Sequence, residues 1–296
     1  SHVSGYLITI ATIIAINGIV ACGLNVIVGF AGQISLGHAA FFGIGAYTAA
    51  LLATQAGLSF WAALPCVVAM SAFIGLLLGI PSLRVREDFL AITTIGINFI
   101  VEAVFNNFEF FGGALGIGGI PRVALFDLKL RGPEFLGLCL FFLAAVMGVC
   151  WWLTRCWAGL ACFALREEEA AAASVGISPV RFKLLAFVIG TGMAGLGGAL
   201  YAHFMRFISA SDFAFPLSVS LLSMVVVGGI GTLWGPILGA FIIGVLPEVF
   251  RPLTDYRILF YTTLLLLMIR FQPGGLLGES SAARRVFAKL RPGGNP

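Results

Sequence analysis

Four polar residues recur at every fourth position within one apolar stretch of the chain: Thr94, Asn98, Glu102 and Asn106. A spacing of four places these side chains along one face of an α-helix. Polar groups are costly in hydrocarbon, so this face is not expected to contact lipid if the stretch spans a membrane. The face either lines a path for a solute or forms hydrogen bonds with a neighbouring helix, and the sequence leaves both interpretations open.

Two glycine-rich segments contain the other residues that could contact a solute. Glycines that interrupt helices expose backbone polar groups, which transporters use to bind substrates. The same glycines could instead let helices pack closely, because small residues bring helix backbones together in lipid. His38 fits hydrogen-bonded packing better than a role as a ligand. The candidates for a solute path in these segments are Gly32, Gln33, Ser35, His38, Gly229 and Gly231.

The sequence contains no recognisable catalytic pattern. Its three histidines lie far apart, and it has neither an H-E-x-x-H nor a G-x-S-x-G motif. It also lacks G-x-x-x-x-G-K-[S/T], the loop that binds nucleotide phosphates. The six cysteines lie in or beside apolar runs without a C-x-x-C pair, which indicates buried thiols rather than metal ligands. We therefore expect that the chain is not an enzyme and binds no cofactor or metal of its own.

The composition indicates that membrane helices position these residues. The chain of 296 residues is 60% hydrophobic and 10% charged, with a mean hydropathy of +1.06, which soluble domains do not show. Its apolar runs are much longer than the roughly ten residues of a barrel strand, so we predict an all-α polytopic membrane protein. The expected number is about eight to nine transmembrane helices, including broken or half helices. The runs are Tyr6–Val28, Ser35–Thr54, Trp61–Ile80, Phe89–Phe111, Phe135–Leu153, Phe182–Phe204, Phe215–Leu233, Pro236–Phe250 and Tyr256–Phe271.

Basic residues predict the orientation, because Lys and Arg near the ends of spans favour the cytoplasm. One alternating path places Arg84 with Arg86, the loop 155–181 and the basic tail 279–296 on the cytoplasmic side. Residues 1–278 then form a single transmembrane domain that starts outside, and a missing first helix would explain that start. The net charge of +4 is spread among loops and indicates topology rather than affinity for nucleic acid.

The long loop 112–134 falls on the extracytoplasmic face in this path. Its glycines and Pro121 break helices, while Val123–Leu130 could form a short strand or helix. The loop either simply connects two spans, or it helps to receive a partner or to close over a substrate.

Residues 166–179, REEEAAAASVGISP, form a polar segment inside this apolar chain. Ala170–Ala173 are strong helix formers, and Glu167–Glu169 lie near the start, where the helix dipole favours negative charge. Gly176 is predicted to end this helix, and Ser178–Pro179 to cap and begin the next span. The polar segment is therefore either a solvated connector or a surface for a soluble partner protein.

The polar segment and the helix after it, REEEAAAASVGISPVRFKLLAFVIGTGMAGLGGALYA, resemble the cytoplasmic coupling segment of permease subunits in bacterial branched-chain amino acid ABC importers, specifically the LivM-like subunits. GLNVIVGFAGQISLGHAAFFGIGAYTAALL (Gly23–Leu52) resembles the first signature of that family, and LLSMVVVGGIGTLWGPILGAFIIGVLPE (Leu221–Glu248) its last. The similarity extends from Asn17 to Gly278. The chain departs from the general pattern in its run of alanines. It also has Glu102 without the basic partner that this helix often carries, so the resemblance assigns Glu102 no role.

This resemblance implies that the polar segment docks into a cleft of a cytoplasmic ATPase and transmits the closure of the ATPase into the membrane. The matching positions are Arg166, Glu167, Glu168, Glu169, Ala171, Ala172 and Gly176. ATP would be hydrolysed by two separate ATPase subunits. The other implied partners are a homologous, LivH-like permease subunit and an extracytoplasmic substrate-binding protein, and the implied location is the inner membrane of a bacterium.

The implied function is ATP-driven import of branched-chain or similar hydrophobic amino acids by alternating access. Related importers are also thought to handle urea, short amides and aromatic acids, and the sequence does not choose among these substrates. An ion-coupled secondary transporter or channel, which needs no ATPase, is the alternative from another class. It would predict substrate flux from this chain alone.

Overall fold

A computed structural model describes residues 2–82, 87–125 and 128–249, together with the single residues 263, 266, 270 and 276. Most of the predicted span Tyr256–Phe271 lies outside the described residues, as do Arg84, Arg86 and the basic tail 279–296. The predictions made for those parts of the chain stay predictions.

The described residues are mainly helical. The helices are α1 His2–Asn25, α2 His38–Thr54, α3 Phe60–Ser82, α4 Glu87–Asn107, α5 Pro133–Leu153, α6 Trp157–Glu167, α7 Glu169–Ser174, α8 Pro179–Met205, α9 Phe215–Gly228 and α10 Gly235–Val249. A π-helical turn, Val26–Phe30, continues α1. Two short antiparallel strand pairs accompany the helices: β1 Ile117–Gly118 with β4 Phe207–Ile208, and β2 Ala124–Leu125 with β3 Leu128–Lys129.

Several of these helices are suited to cross a membrane. Six helices within the described part of the chain are long and apolar enough: Gly5–Phe30, Phe60–Pro81, Phe89–Asn107, Pro133–Leu153, Pro179–Met205 and Ala210–Gly228. Two shorter apolar helices, His38–Thr54 and Gly235–Leu246, accompany them. The prediction of an all-α, multi-pass membrane protein is confirmed at this level.

The central helix is α8, which packs against α1, α2 and α3. Its glycines bring the helix backbones together. A Cβ atom on Gly45 of α2 would overlap the backbone of Gly195, and a Cβ atom on Gly23 of α1 would overlap the Gly190 carbonyl. Helices in lipid associate through such close packing, because burial from water contributes little between them.

A non-helical segment separates the first apolar run from the second. After the π-helical turn, the backbone adopts a φ of 70° at Gly32, a conformation that favours glycine. Residues 31–37 are not helical, and we call them the first break. Helix α2 therefore begins at His38, later than the apolar run alone predicts. At Gly37 the backbone passes α4 so closely that a Cβ atom would overlap the Thr94 carbonyl.

A second interruption separates α9 from α10. Residues 229–234 form a turn, which we call the second break, and the two helices pack against each other. Helix α9 ends at Gly228, whereas the apolar run predicted a span as far as Leu233. The helix stops because Gly229 and Gly231 adopt φ values of 129° and 77°, which a continuing right-handed helix excludes.

The loop 112–134 is fastened to its neighbours. Strand β1 pairs with β4 after α8, and the Ile120 amide donates to the Arg206 carbonyl at 3.3 Å. The Trp61 indole donates to the Ala124 carbonyl at 3.0 Å. The predicted short strand or helix is realised as the pair β2–β3.

Candidate functional site

The polar stripe on α4 joins three parts of the fold. Thr94 and Asn98 are fully buried. The Thr94 hydroxyl accepts a hydrogen bond from the Leu36 amide in the first break, at 3.0 Å. Asn98 donates to the Phe213 carbonyl at 3.3 Å and accepts from the Ser218 hydroxyl of α9 at 2.9 Å. These two members of the stripe thus make the hydrogen bonds with neighbouring segments that the sequence offered as one alternative.

The Ser218 hydroxyl extends this network to the start of α2. It accepts a hydrogen bond from the Ala39 amide at 3.0 Å, in the first turn of α2, whose amides have no partner within the helix. Further along the stripe, Glu102 is half-buried and Asn106 is exposed. That the stripe also lines a solute path stays a prediction.

The first break turns alternate side chains inward and outward. Gln33, Ser35 and His38 are buried; the side-chain polar atoms of Gln33 and Ser35 have no hydrogen-bond partner among the described residues, whereas the His38 imidazole lies against the Val20 backbone. Buried polar groups are normally satisfied, so an amide and a hydroxyl without protein partners can bind water or a polar solute. Gly32 and Ile34, which alternate with the buried residues, are exposed.

The second break is attached to the end of α1 by one side chain, that of Asn25. Its Oδ1 accepts a hydrogen bond from the Gly231 amide at 2.9 Å, and its Nδ2 donates to the Thr232 carbonyl at 3.0 Å. The predictions from sequence did not include Asn25. The available signal was an amide side chain within the apolar run Tyr6–Val28.

Arg166 also reaches this region. It lies in the last turn of α6, and its guanidinium Nη1 donates to the Gly29 carbonyl of the π-helical turn at 2.5 Å. Sequence reasoning placed Arg166 among the residues that contact an ATPase. In the structure, the Arg166 side chain contacts the end of the helix that α1 and the π-helical turn form together.

The polar segment includes the last two residues of α6 and the whole of α7, rather than one continuous helix. Helix α6 ends at Glu167, and Glu168 is extended before α7 begins. Glu169 forms an ion pair with Lys183 of α8 at 2.5 Å, which attaches α7 to the central helix. Helix α8 begins at Pro179, as predicted, although the residue before it forms no side-chain capping hydrogen bond.

The outer surface of α7 is smaller than the sequence indicated. Ala172 is only 5% exposed and packs within this chain, so it is not part of a free surface. Val175, which was not among the predicted positions, is 76% exposed. The exposed positions of the predicted set are Arg166, Glu167, Glu168, Ala171 and Gly176. The exposed positions thus combine small and apolar residues with one arginine and two glutamates.

The histidine, cysteine and acidic side chains of the described residues were compared with the requirements of a metal site and of a reactive thiol. No group of three or more His, Cys, Asp or Glu side chains there could bind a metal ion. The six cysteines are free. In α6, burial raises the pKa of the Cys162 thiol to about 11, with a further contribution from Cys156, so this thiol stays neutral near pH 7.

Residues 6–271 of the chain match a protein family described as the permease component of branched-chain amino acid transport systems. The chain is 39% identical over 295 residues to the high-affinity branched-chain amino acid transport system permease protein LivM of Escherichia coli (strain K12), covering 91% of this chain and 69% of that protein. It is 25% identical over 237 residues to the probable branched-chain amino acid transport permease protein LivM of Methanocaldococcus jannaschii, covering 72% and 67%. Over 123 residues it is 32% identical to the LivH permease protein of the same E. coli transport system, covering 41% and 40%. No solved structure matches the chain significantly.

Proposed function

The chain belongs to the family of permease components of branched-chain amino acid transport systems, and from this membership we propose that it is the membrane-spanning permease subunit of an ATP-driven importer for branched-chain, hydrophobic amino acids. The observation that carries the proposal is the similarity to LivM along nearly the whole chain. The proposed substrate class is the one for which these relatives are named. Permeases for urea, amides or aromatic acids are the alternative on the same scaffold.

The polar segment is the proposed docking site for a cytoplasmic ATPase. Its exposed surface carries Ala171 and Val175 beside the acidic Glu167 and Glu168. Small and apolar side chains allow a helix to enter a groove, and the acidic residues supply charges at the rim. Nucleotide binds to the ATPase subunits, and this chain itself binds no cofactor.

Force applied to α7 has a direct route into the membrane. The ion pair between Glu169 and Lys183 connects α7 to α8, and α8 packs against α1, α2 and α3. A movement of α7 therefore displaces the helices that surround both breaks. Such a rigid-body displacement is a common basis of alternating access.

The complete importer contains a homologous permease subunit, two ATPase subunits and an extracytoplasmic substrate-binding protein. Eight described helices, α1–α5 and α8–α10, together with the predicted span Tyr256–Phe271, bring this subunit to about nine membrane segments, in the inner membrane of a bacterium. The polar segment is cytoplasmic, and the loop 112–134 faces the binding protein.

Ala171→Arg tests the docking site. A long cation in the middle of the docking surface should reduce ATPase co-purification by about tenfold or more, because a misfit at the centre of an interface costs upwards of ~1.4 kcal/mol. The matched control is Ala56→Arg, the same change at another exposed alanine, directly after α2. Co-purification is measured in detergent, and thermal unfolding verifies that both variants fold. Undiminished ATPase with Ala171→Arg would refute docking at this surface.

A further inference from the structure

Three glycines surround the side chain of Arg166. The Gly29 carbonyl accepts a hydrogen bond from Nη1. At Gly231, a Cβ atom would overlap that same nitrogen, and at Gly32 a Cβ atom would press against the Cα, Cβ and Cγ atoms of Arg166. The space for this side chain therefore exists because glycine occupies position 32 in the first break and position 231 in the second break.

The Gly29 carbonyl is a favourable site for a cation. It lies in the last turn of the helix that α1 and the π-helical turn form together. The last carbonyls of a helix have no partner within the helix and carry the negative end of its dipole. A guanidinium that donates to such a carbonyl forms a charge-assisted hydrogen bond, which is stronger than a bond between neutral groups.

The same place joins the end of α1 to the second break. Asn25, one turn before Gly29, accepts from the Gly231 amide and donates to the Thr232 carbonyl. A Cβ atom on Gly29 would overlap both the Asn25 side chain and the Gly231 backbone. The end of α1, the second break and the end of α6 thus meet around Arg166.

We propose that Arg166 is a positioning residue that makes the end of α1 and the second break move together with the polar segment. The inference rests on the proposed function, because it assumes that an ATPase moves the polar segment. Glu169 and Lys183 connect α7 to α8, and Arg166 provides a second connection from α6 to the two interrupted spans. Its side chain acts inside this chain rather than as an ATPase contact.

Arg166→Gln tests the inference in the assembled importer. The amide is shorter and uncharged, so the contact with Gly29 is lost, while the exposed surface of α7 is unchanged. We expect ATPase co-purification to stay as in the unmodified protein and ATP-dependent uptake to fall by about tenfold, the factor expected from one charge-assisted hydrogen bond. Arg166→Lys keeps a cation and should retain more uptake than Arg166→Gln. The matched control is Arg181→Gln, which removes the charge of another exposed arginine, in the first turn of α8.

A distance measurement separates positioning from general damage. Nitroxide labels carried by noncanonical amino acids at Trp157 in α6 and at Trp234, both exposed and both outside the docking surface, report the separation of α6, which carries Arg166, and the second break. In the unmodified importer this distance should stay constant between nucleotide-free and ATP-bound states. In Arg166→Gln it should change or broaden on ATP binding.

Three outcomes would overturn the inference. Normal uptake by Arg166→Gln with ATPase bound would show that the contact transmits nothing. Loss of ATPase from Arg166→Gln would make Arg166 a docking residue, which contradicts the inference but agrees with the proposed function. A distance between the labels that changes equally in both proteins would also refute it. Failure of the proposed function itself is distinct, because then the unmodified chain would retain no ATPase.

Discussion

Single polar side chains attach the interrupted spans of this protein to their neighbours. Asn25 binds the second break to α1 with two hydrogen bonds, and Thr94 binds the first break to α4. Both side chains are buried. Non-helical backbone at membrane depth is tolerated only when other groups form hydrogen bonds with its amides and carbonyls. The side chains of Asn25 and Thr94 form such hydrogen bonds.

Asn25→Ala should lower the free energy of unfolding by more than the loss of a few side-chain atoms alone would. The change leaves the Gly231 amide and the Thr232 carbonyl without their partner, and a buried unsatisfied group costs about 1–3 kcal/mol. We expect a lower thermal unfolding midpoint in detergent. Asn107→Ala is the control, because Asn107 is exposed and bonds only to the Ala103 carbonyl of its own helix. Equal midpoints for the two variants would contradict the role of Asn25.

The sequence predicted which residues share a helix face better than it predicted which distant residues they contact. The period of four correctly placed Thr94 and Asn98 on one face of α4, because helical periodicity is a local property. It did not indicate that Arg166 contacts Gly29, since that contact joins residues 137 positions apart. Nor did it show that Ala172 is buried, because the face of α7 that packs inward depends on where Glu169 meets Lys183.

At the scale of elements, the glycines of α8 and its neighbours determine how closely helices approach. The predicted runs agree with α1, α3, α5 and α8 within a few residues at each end, because a long apolar run is a strong signal for a span. The start of α2 and the end of α9 were not predicted exactly, since apolar composition does not indicate where the helical backbone conformation begins or stops. Their positions depend on backbone conformation at Gly32 and Gly229 and on hydrogen bonds from distant segments.

Gly45→Ala should weaken the contact between α2 and α8. The new Cβ atom would overlap the backbone of Gly195, which cannot move aside as a side chain can. We expect a loss of about 1–3 kcal/mol, typical of overpacking, seen as a lower unfolding midpoint. Gly192→Ala in α8 is the matched control, because its Cβ atom would meet Val68 and Ala72 only at ordinary contact distances. Both changes gain the same helix propensity, so an equal midpoint in both variants would refute the packing argument.

At the scale of the whole molecule, the chain combines a rigid centre with two interruptions and one exposed polar segment. Helix α8 connects these parts, since it packs against α1, α2 and α3 and is joined to α7 by an ion pair. Because the chain belongs to the permease family, we relate this arrangement to transport. The proposed movement starts at the polar segment and reaches both breaks through α8 and Arg166.

The most direct test of this account is the initial rate of leucine uptake into proteoliposomes. Uptake is measured for two samples: this chain alone, and this chain assembled with its homologous permease, the ATPase subunits and the binding protein. Each sample is measured with and without ATP inside the vesicles. The account predicts uptake only from the complete assembly and only with ATP, since this chain has no loop for nucleotide phosphates. Leucine flux through this chain alone, driven by an ion gradient and independent of ATP, would contradict it.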